Sequence, residues 1–153
     1  MITSHLSART TQIHQYISYC LSALLVGMLV LQLYTFDELA DTFAVLLPAT
    51  ISPQFPIVLP ALVVIIELAA LSYALPLYLS RLARLVARIA TIIVPIFWLA
   101  LLWMPLVRSQ AGVYPFFGTK LPLPINLVSF LPVVVLSILT AILVYLDITQ
   151  RRS

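Results

Sequence analysis

Four long runs of mostly apolar residues occupy this chain, at 16–34, 56–79, 85–106 and 126–146. Wound as a helix at about 1.5 Å per residue, about 20 residues cross the roughly 30 Å hydrocarbon layer of a bilayer. Inside lipid every backbone N–H and C=O must find its partner within the protein, which leaves helices or a closed barrel. Barrel strands are about 10 residues of alternating polarity, and these runs are longer and continuously apolar. They predict helices. Composition agrees: 8% of the 153 residues are charged, against about 25% in a soluble domain. Such a chain cannot cover a water-facing exterior. The expected fold is therefore all-α, a single domain over 1–153 forming a four-helix transmembrane bundle.

Lysine and arginine in short loops set the orientation. Arg9, Arg81, Arg84, Arg88, Arg151 and Arg152 fall on one side of a four-span layout, and Arg108 and Lys120 on the other. Six against two predicts that both termini are cytoplasmic. The polar start, 1–15, precedes an apolar run with no A-x-A cleavage site, so no cleavable signal is expected. The location expected is a cell membrane crossed several times, of the bacterial inner-membrane kind. Arg81, Arg84 and Arg88 stand at i, i+3 and i+7 and share one helical face. They read as an anchor for anionic lipid headgroups or as a stripe that docks a partner's acidic surface. A net charge of +3, scattered as it is, points to no nucleic-acid partner.

Between the first two runs lies "TFDELADTF" (35–43). Asp37 and Asp41 share one helical face, and Leu39, Phe43 and Leu46 lie elsewhere. The segment predicts a short interfacial helix, or an extension of the first span, ending by Pro48. Pro76 and Pro95 fall inside predicted spans and should kink a helix or mark its edge.

The stretch "PALVVIIELAALSYALP" (60–76) holds one carboxylate, Glu67, about midway along its span. An ionised acid at the bilayer centre costs at least about 2.5 kcal/mol, so the neutral acid is expected there. Ala70 and Ala74 on the same face let a second helix approach closely. Glu67 should then point inward and bond to span one or span four. Its candidate partners are Ser18, Tyr19, Cys20, Ser22 and Gln32 in span one, Thr91, Trp98 and Trp103 in span three, and Ser129, Ser137, Thr140 and Tyr145 in span four. No Lys, Arg or His lies at mid-depth to pair with it. Glu67, Tyr78 and Tyr19 are the candidates for a ligand or proton site. One cysteine, Cys20, and two histidines, His5 and His14, build no metal site, and none is expected. Cys20 reads as a small core residue. Trp98 reads as a packing residue. The loop aromatics Tyr114, Phe116 and Phe117 are expected to be buried against the helices.

The layout resembles the DoxX/MauE-like four-helix membrane proteins. Gly27, Asp37, Phe43 and Pro48 match a Gly-containing first helix that runs into an acidic, Phe-containing stretch before a proline. Pro60 with Glu67 is similar to the family's second helix. "YPFFG" (114–118) keeps Phe117 and Gly118 of a Cys-Gly-Cys-Phe-Gly motif, with Asn126 after it, and both cysteines are absent. The resemblance implies the fold and, in some members, quinone-linked oxidation. On the residues alone, the expected function is that of a small non-catalytic subunit or accessory protein of a larger membrane complex. It would contact membrane lipids and other membrane subunits or copies of itself. The alternatives are a DoxX-like quinone- or lipid-linked redox component using Glu67, with quinone as cofactor, and a small transporter.

Overall fold

The computed structural model describes residues 2–46, 55–75, 77, 79–103, 113–114, 116–117, 123–124 and 127–150. In chain order they form α1 (Ile2–Tyr34), α2 (Phe36–Leu46), α3 (Phe55–Ala74), α4 (Arg81–Trp103), β1 (Val113–Tyr114), β2 (Leu123–Pro124) and α5 (Leu127–Gln150). Among the described residues the only elements besides helices are these two-residue strands. These pair antiparallel, Val113 with Pro124 and Tyr114 with Leu123.

Three helices are long and apolar enough to cross a membrane: α1 over Gln12–Tyr34, α4 over Arg81–Leu102 and α5 over Phe130–Thr149. In α3 the described apolar helix is shorter, Val58–Ala74. The sequence predicts a run to 79 there, but the helix stops at Ala74, two residues ahead of Pro76. A residue before proline is driven out of the α region, and proline offers no N–H to continue the ladder. Pro76 itself lies outside the described residues. The next helix starts at Arg81, four residues earlier than expected. Ser80 makes this start, because its Oγ accepts from the Ala83 N–H at 3.2 Å, an N-cap. At the other extreme α1 begins at Ile2, although the polar 1–15 segment shows no apolar run. Pro60, Pro95 and Pro132 are carried inside α3, α4 and α5.

Thr35 separates α1 from α2. Its N–H and its Oγ1 both donate to the Leu31 carbonyl, at 3.2 and 2.9 Å. A hydroxyl bonded back onto the i−4 carbonyl often bends a helix slightly. α2 follows this junction and packs along α3. Leu39 and Phe43 are buried, while Asp37, Glu38 and Asp41 face outward, as the amphipathic pattern predicts. The expected contact of Leu46 concerns a side chain outside the described ones, and Pro48 lies outside the described residues altogether.

α3 packs closely on α4, α1 on both α3 and α5, and α4 on α5. Small residues permit this approach: Ala70 and Ala74 on α3 face Ala87 and Ala90 on α4, all buried. The backbones come close enough for Thr91 Oγ1 of α4 to donate to the Ala70 carbonyl of α3 at 3.4 Å, beside its bond to Ala87 at 2.8 Å. Leu21, Leu25 and Met28 of α1, Leu102 of α4, and Val133, Leu136 and Leu143 of α5 complete the core. The outer faces carry Val30, Ile65, Leu82, Ile96 and Leu131, each more than half exposed. Such a surface is ordinary against lipid and a liability in water.

Candidate functional site

Glu67 is fully buried, and it stands at the centre of a knot of polar groups from four segments. Its Oε1 accepts from Trp98 Nε1 of α4 at 2.9 Å and from Gln32 Nε2 of α1 at 3.3 Å. Gln32, also fully buried, spends its second amide N–H on the Phe116 carbonyl, at 3.0 Å. The loop between β1 and β2 is thereby tied to α1, and through Gln32 to α3 and α4. Aromatic rings close the knot. The Trp98 ring meets the edges or faces of Phe97 and Phe116 in T-shaped pairs at 5.4 and 5.2 Å, and Phe116 meets Phe117 at 4.8 Å. Edge-to-face contacts of this kind add about 0.5–1.5 kcal/mol beyond the area they bury.

The sequence leads to Gln32 as a partner of Glu67, and to the burial of Phe116. It leads elsewhere in other respects. Of the candidate partners, Gln32 of span one and Trp98 of span three are the two that donate to the acid, and among the described side chains of α5 none does, although a bond to span one or span four is the expectation. Glu67 is the thirteenth of the twenty residues of α3, while Gln32 stands two residues from the end of α1 and Trp98 five from the end of α4. Tyr19 does not meet Glu67. It is 60% exposed on α1, thirteen residues before Gln32, about 20 Å away at helical rise. Cys20, expected in the core, is exposed. Tyr78 lies outside the described residues, and the side chains of Trp103, Tyr114 and Ser129 lie outside the described ones.

Two acceptors in this region, Glu67 Oε2 and Gln32 Oε1, have no hydrogen-bond partner among the described residues. Buried acceptors are normally paired. Beside them a narrow cleft between α3 and α4 is lined by Leu62, Val63, Ile66, Ile93, Val94 and Phe97 with Glu67 and Trp98. Its volume is about 30 Å³. That is room for one water, far below the roughly 300–1,000 Å³ of a pocket for an organic ligand. Among the described residues no second titratable side chain bonds to Glu67, and no group of three metal-ligating side chains exists.

A second polar cluster sits at the other end, where α3 passes to α4. Tyr73 OH of α3 donates to Asp147 Oδ2 of α5 at 3.0 Å. With His14, Ser72 and Arg84 they line a cavity of about 150 Å³. Neither Tyr73 nor Asp147 stands out in the sequence. Asp147 follows the predicted end of the last span at 146, and the helix in fact continues to Gln150. Arg81, Arg84 and Arg88 share a groove of about 460 Å³ on the same end, with Leu79 and Leu85.

The knot makes a simple prediction. Glu67→Gln keeps an acceptor for both donors and should hold stability in detergent within about 1 kcal/mol, since interhelical hydrogen bonds in membranes average roughly 0.6 kcal/mol. Glu67→Leu leaves the Trp98 and Gln32 N–H groups without their acceptor and should cost about 1–3 kcal/mol. Thermal melts of the two variants compare them directly, and equal melting of Gln, Leu and wild type would remove the knot's structural role.

Against known proteins, no family model matches the chain, and neither a curated protein nor a solved structure matches it.

Proposed function

We propose that this chain is a small, non-catalytic integral subunit or accessory protein of a larger membrane assembly. In this reading the four long helices form a transmembrane bundle with both termini in the cytoplasm of a bacterial cell, and the likeness to DoxX/MauE-like proteins extends to the fold. The observation that supports it is the closed state of the polar centre. Glu67, Gln32 and Trp98 are sealed from solvent, and the N–H donors of Gln32 and Trp98 are spent on Glu67 and on a loop carbonyl. Such groups hold segments in register. The apolar outer faces of α1, α3, α4 and α5 then serve lipid or neighbouring subunits.

Purification in mild detergent followed by mass analysis tests this reading. Stoichiometric foreign membrane subunits are expected alongside the chain, and a solitary chain with none would sink the proposal. Orientation is tested by impermeant thiol labelling of single cysteines in intact cells. Positions 80 and 153 should stay unlabelled, and positions 109 and 119 should react.

A second reading rests on the unpaired Glu67 Oε2 beside the α3–α4 cleft. There a lipid-soluble carbonyl compound such as a quinone would take a hydrogen bond from the neutral acid after the cleft opened. Quinone retained by the purified chain, and lost in Glu67→Gln, is the result that favours it.

A further inference from the structure

We infer that the groove on α4 is a discrete binding site for one anionic phospholipid, its phosphate held by Arg81, Arg84 and Arg88. Three guanidinium groups line one groove of about 460 Å³ together with Leu79 and Leu85. The volume and the mixed lining suit a headgroup whose acyl chains continue along apolar surface. Such surface is present: Leu82 and Leu85, on the first turns of α4, are 74% and 57% exposed.

The charges on this face are unbalanced. Arg81 and Arg84 stand three apart, Arg84 and Arg88 four apart, and like charges at those spacings repel on a helix. The first turn of α4 holds no acidic residue. A phosphate between them removes the repulsion, and guanidinium groups bind phosphate with two parallel hydrogen bonds. Arg88 adds the argument for a site over a diffuse attraction. It lies seven residues beyond Arg81, about 10 Å further along the helix, and is only partly exposed. A bare surface charge belongs at the helix end, not a third of the way along it.

The neighbouring cavity fits the rest of the headgroup. It shares Leu79 and Arg84 with the groove, and it offers Ser72 and His14 to a hydroxylated headgroup. Asp147 also lines it and disfavours a second negative charge there. Phosphatidylglycerol has that chemistry: one phosphate and neutral hydroxyls.

This inference rests on the reading that the helices span a membrane, and it is independent of whether the chain joins a complex. The test uses the full chain reconstituted in phosphatidylcholine nanodiscs with and without phosphatidylglycerol, followed by native mass spectrometry of the protein released with its lipids. At about a factor of five per arginine, retention of phosphatidylglycerol over phosphatidylcholine should be on the order of a hundredfold. Arg81→Gln/Arg84→Gln/Arg88→Gln should lose nearly all of it while melting normally in pure phosphatidylcholine. The single variant Arg88→Gln, whose helix retains its two end arginines, should lose about fivefold and serves if the triple variant does not fold. Inorganic phosphate added to the phosphatidylcholine sample should not raise the melting temperature as phosphatidylglycerol does. An equal rise would assign the groove to a free anion and overturn the lipid site. Insertion of the wild type with no lipid preference would overturn it too and leave the groove to an acidic protein surface. Failure to insert at all would overturn the membrane reading itself.

Discussion

Trp98→Ala is expected to lower the free energy of unfolding by about 3–5 kcal/mol, the range for emptying a buried tryptophan site. Trp98 has no exposed surface. Its ring contacts Phe97 and Phe116, and its indole N–H carries the shorter of the two bonds to Glu67. Alanine removes the volume, the ring contacts and the donor together. Trp98→Phe separates them: most of the ring remains, only the donor goes, and a loss of about 1 kcal/mol is expected. Ile96, on the same helix and 58% exposed, is the control, and Ile96→Ala should cost well under about 1 kcal/mol in detergent. Melting curves for the three variants rank the effects. A Trp98→Ala protein as stable as Ile96→Ala would mean that the knot does not hold these helices together.

Phe43→Asp is expected to be comparably severe, at about 3 kcal/mol, with Asp41→Asn close to neutral. Phe43 is 1% exposed where α2 lies on α3. The variant loses the apolar contact and asks the core to accept a carboxylate. The loss is capped by the free energy of docking α2, because the helix can swing away instead of burying the charge. Limited proteolysis distinguishes the outcomes: Phe43→Asp should expose cleavage sites within α2 that wild type and Asp41→Asn protect. Equal protection in all three would show that α2 is not held by this contact.

The two variants draw on parts of the protein that differ in how legible they are from residue order. Alternation of Leu39 and Phe43 with Asp37, Glu38 and Asp41 marks the buried face of α2 by itself, because a single helix obeys a fixed period of 3.6. Trp98 stands in the residue order as one of several candidate partners of Glu67, and which of them meets the acid does not emerge that way. An indole is an apolar body with one donor, and it reads equally as packing until the acceptor across the interface is known. Phe116 is a harder case. Its ring is marked for burial by being aromatic in a loop, but the bond from Gln32 goes to its backbone carbonyl, and a carbonyl leaves no trace in residue identity. Tyr73 and Asp147 give no signal for a related reason. They lie 74 positions apart, and only the packing of α3 and α5 brings them within 3.0 Å.

The amino-acid order alone established that α1, α4 and α5 are long apolar helices suited to lipid, that α2 is amphipathic, and that the arginines of α4 share a face. Hydrophobic length, period and capping are properties of contiguous residues, and each carries its energy locally. Which polar groups meet was settled by how the helices rotate and slide against one another, with alanines at the α3–α4 contact and Thr35 at the junction of α1 and α2. A shift of one residue turns a side chain by about 100° around its helix, so the pairing of Glu67 with Gln32 and Trp98, and its separation from Tyr19, belong to the packed structure.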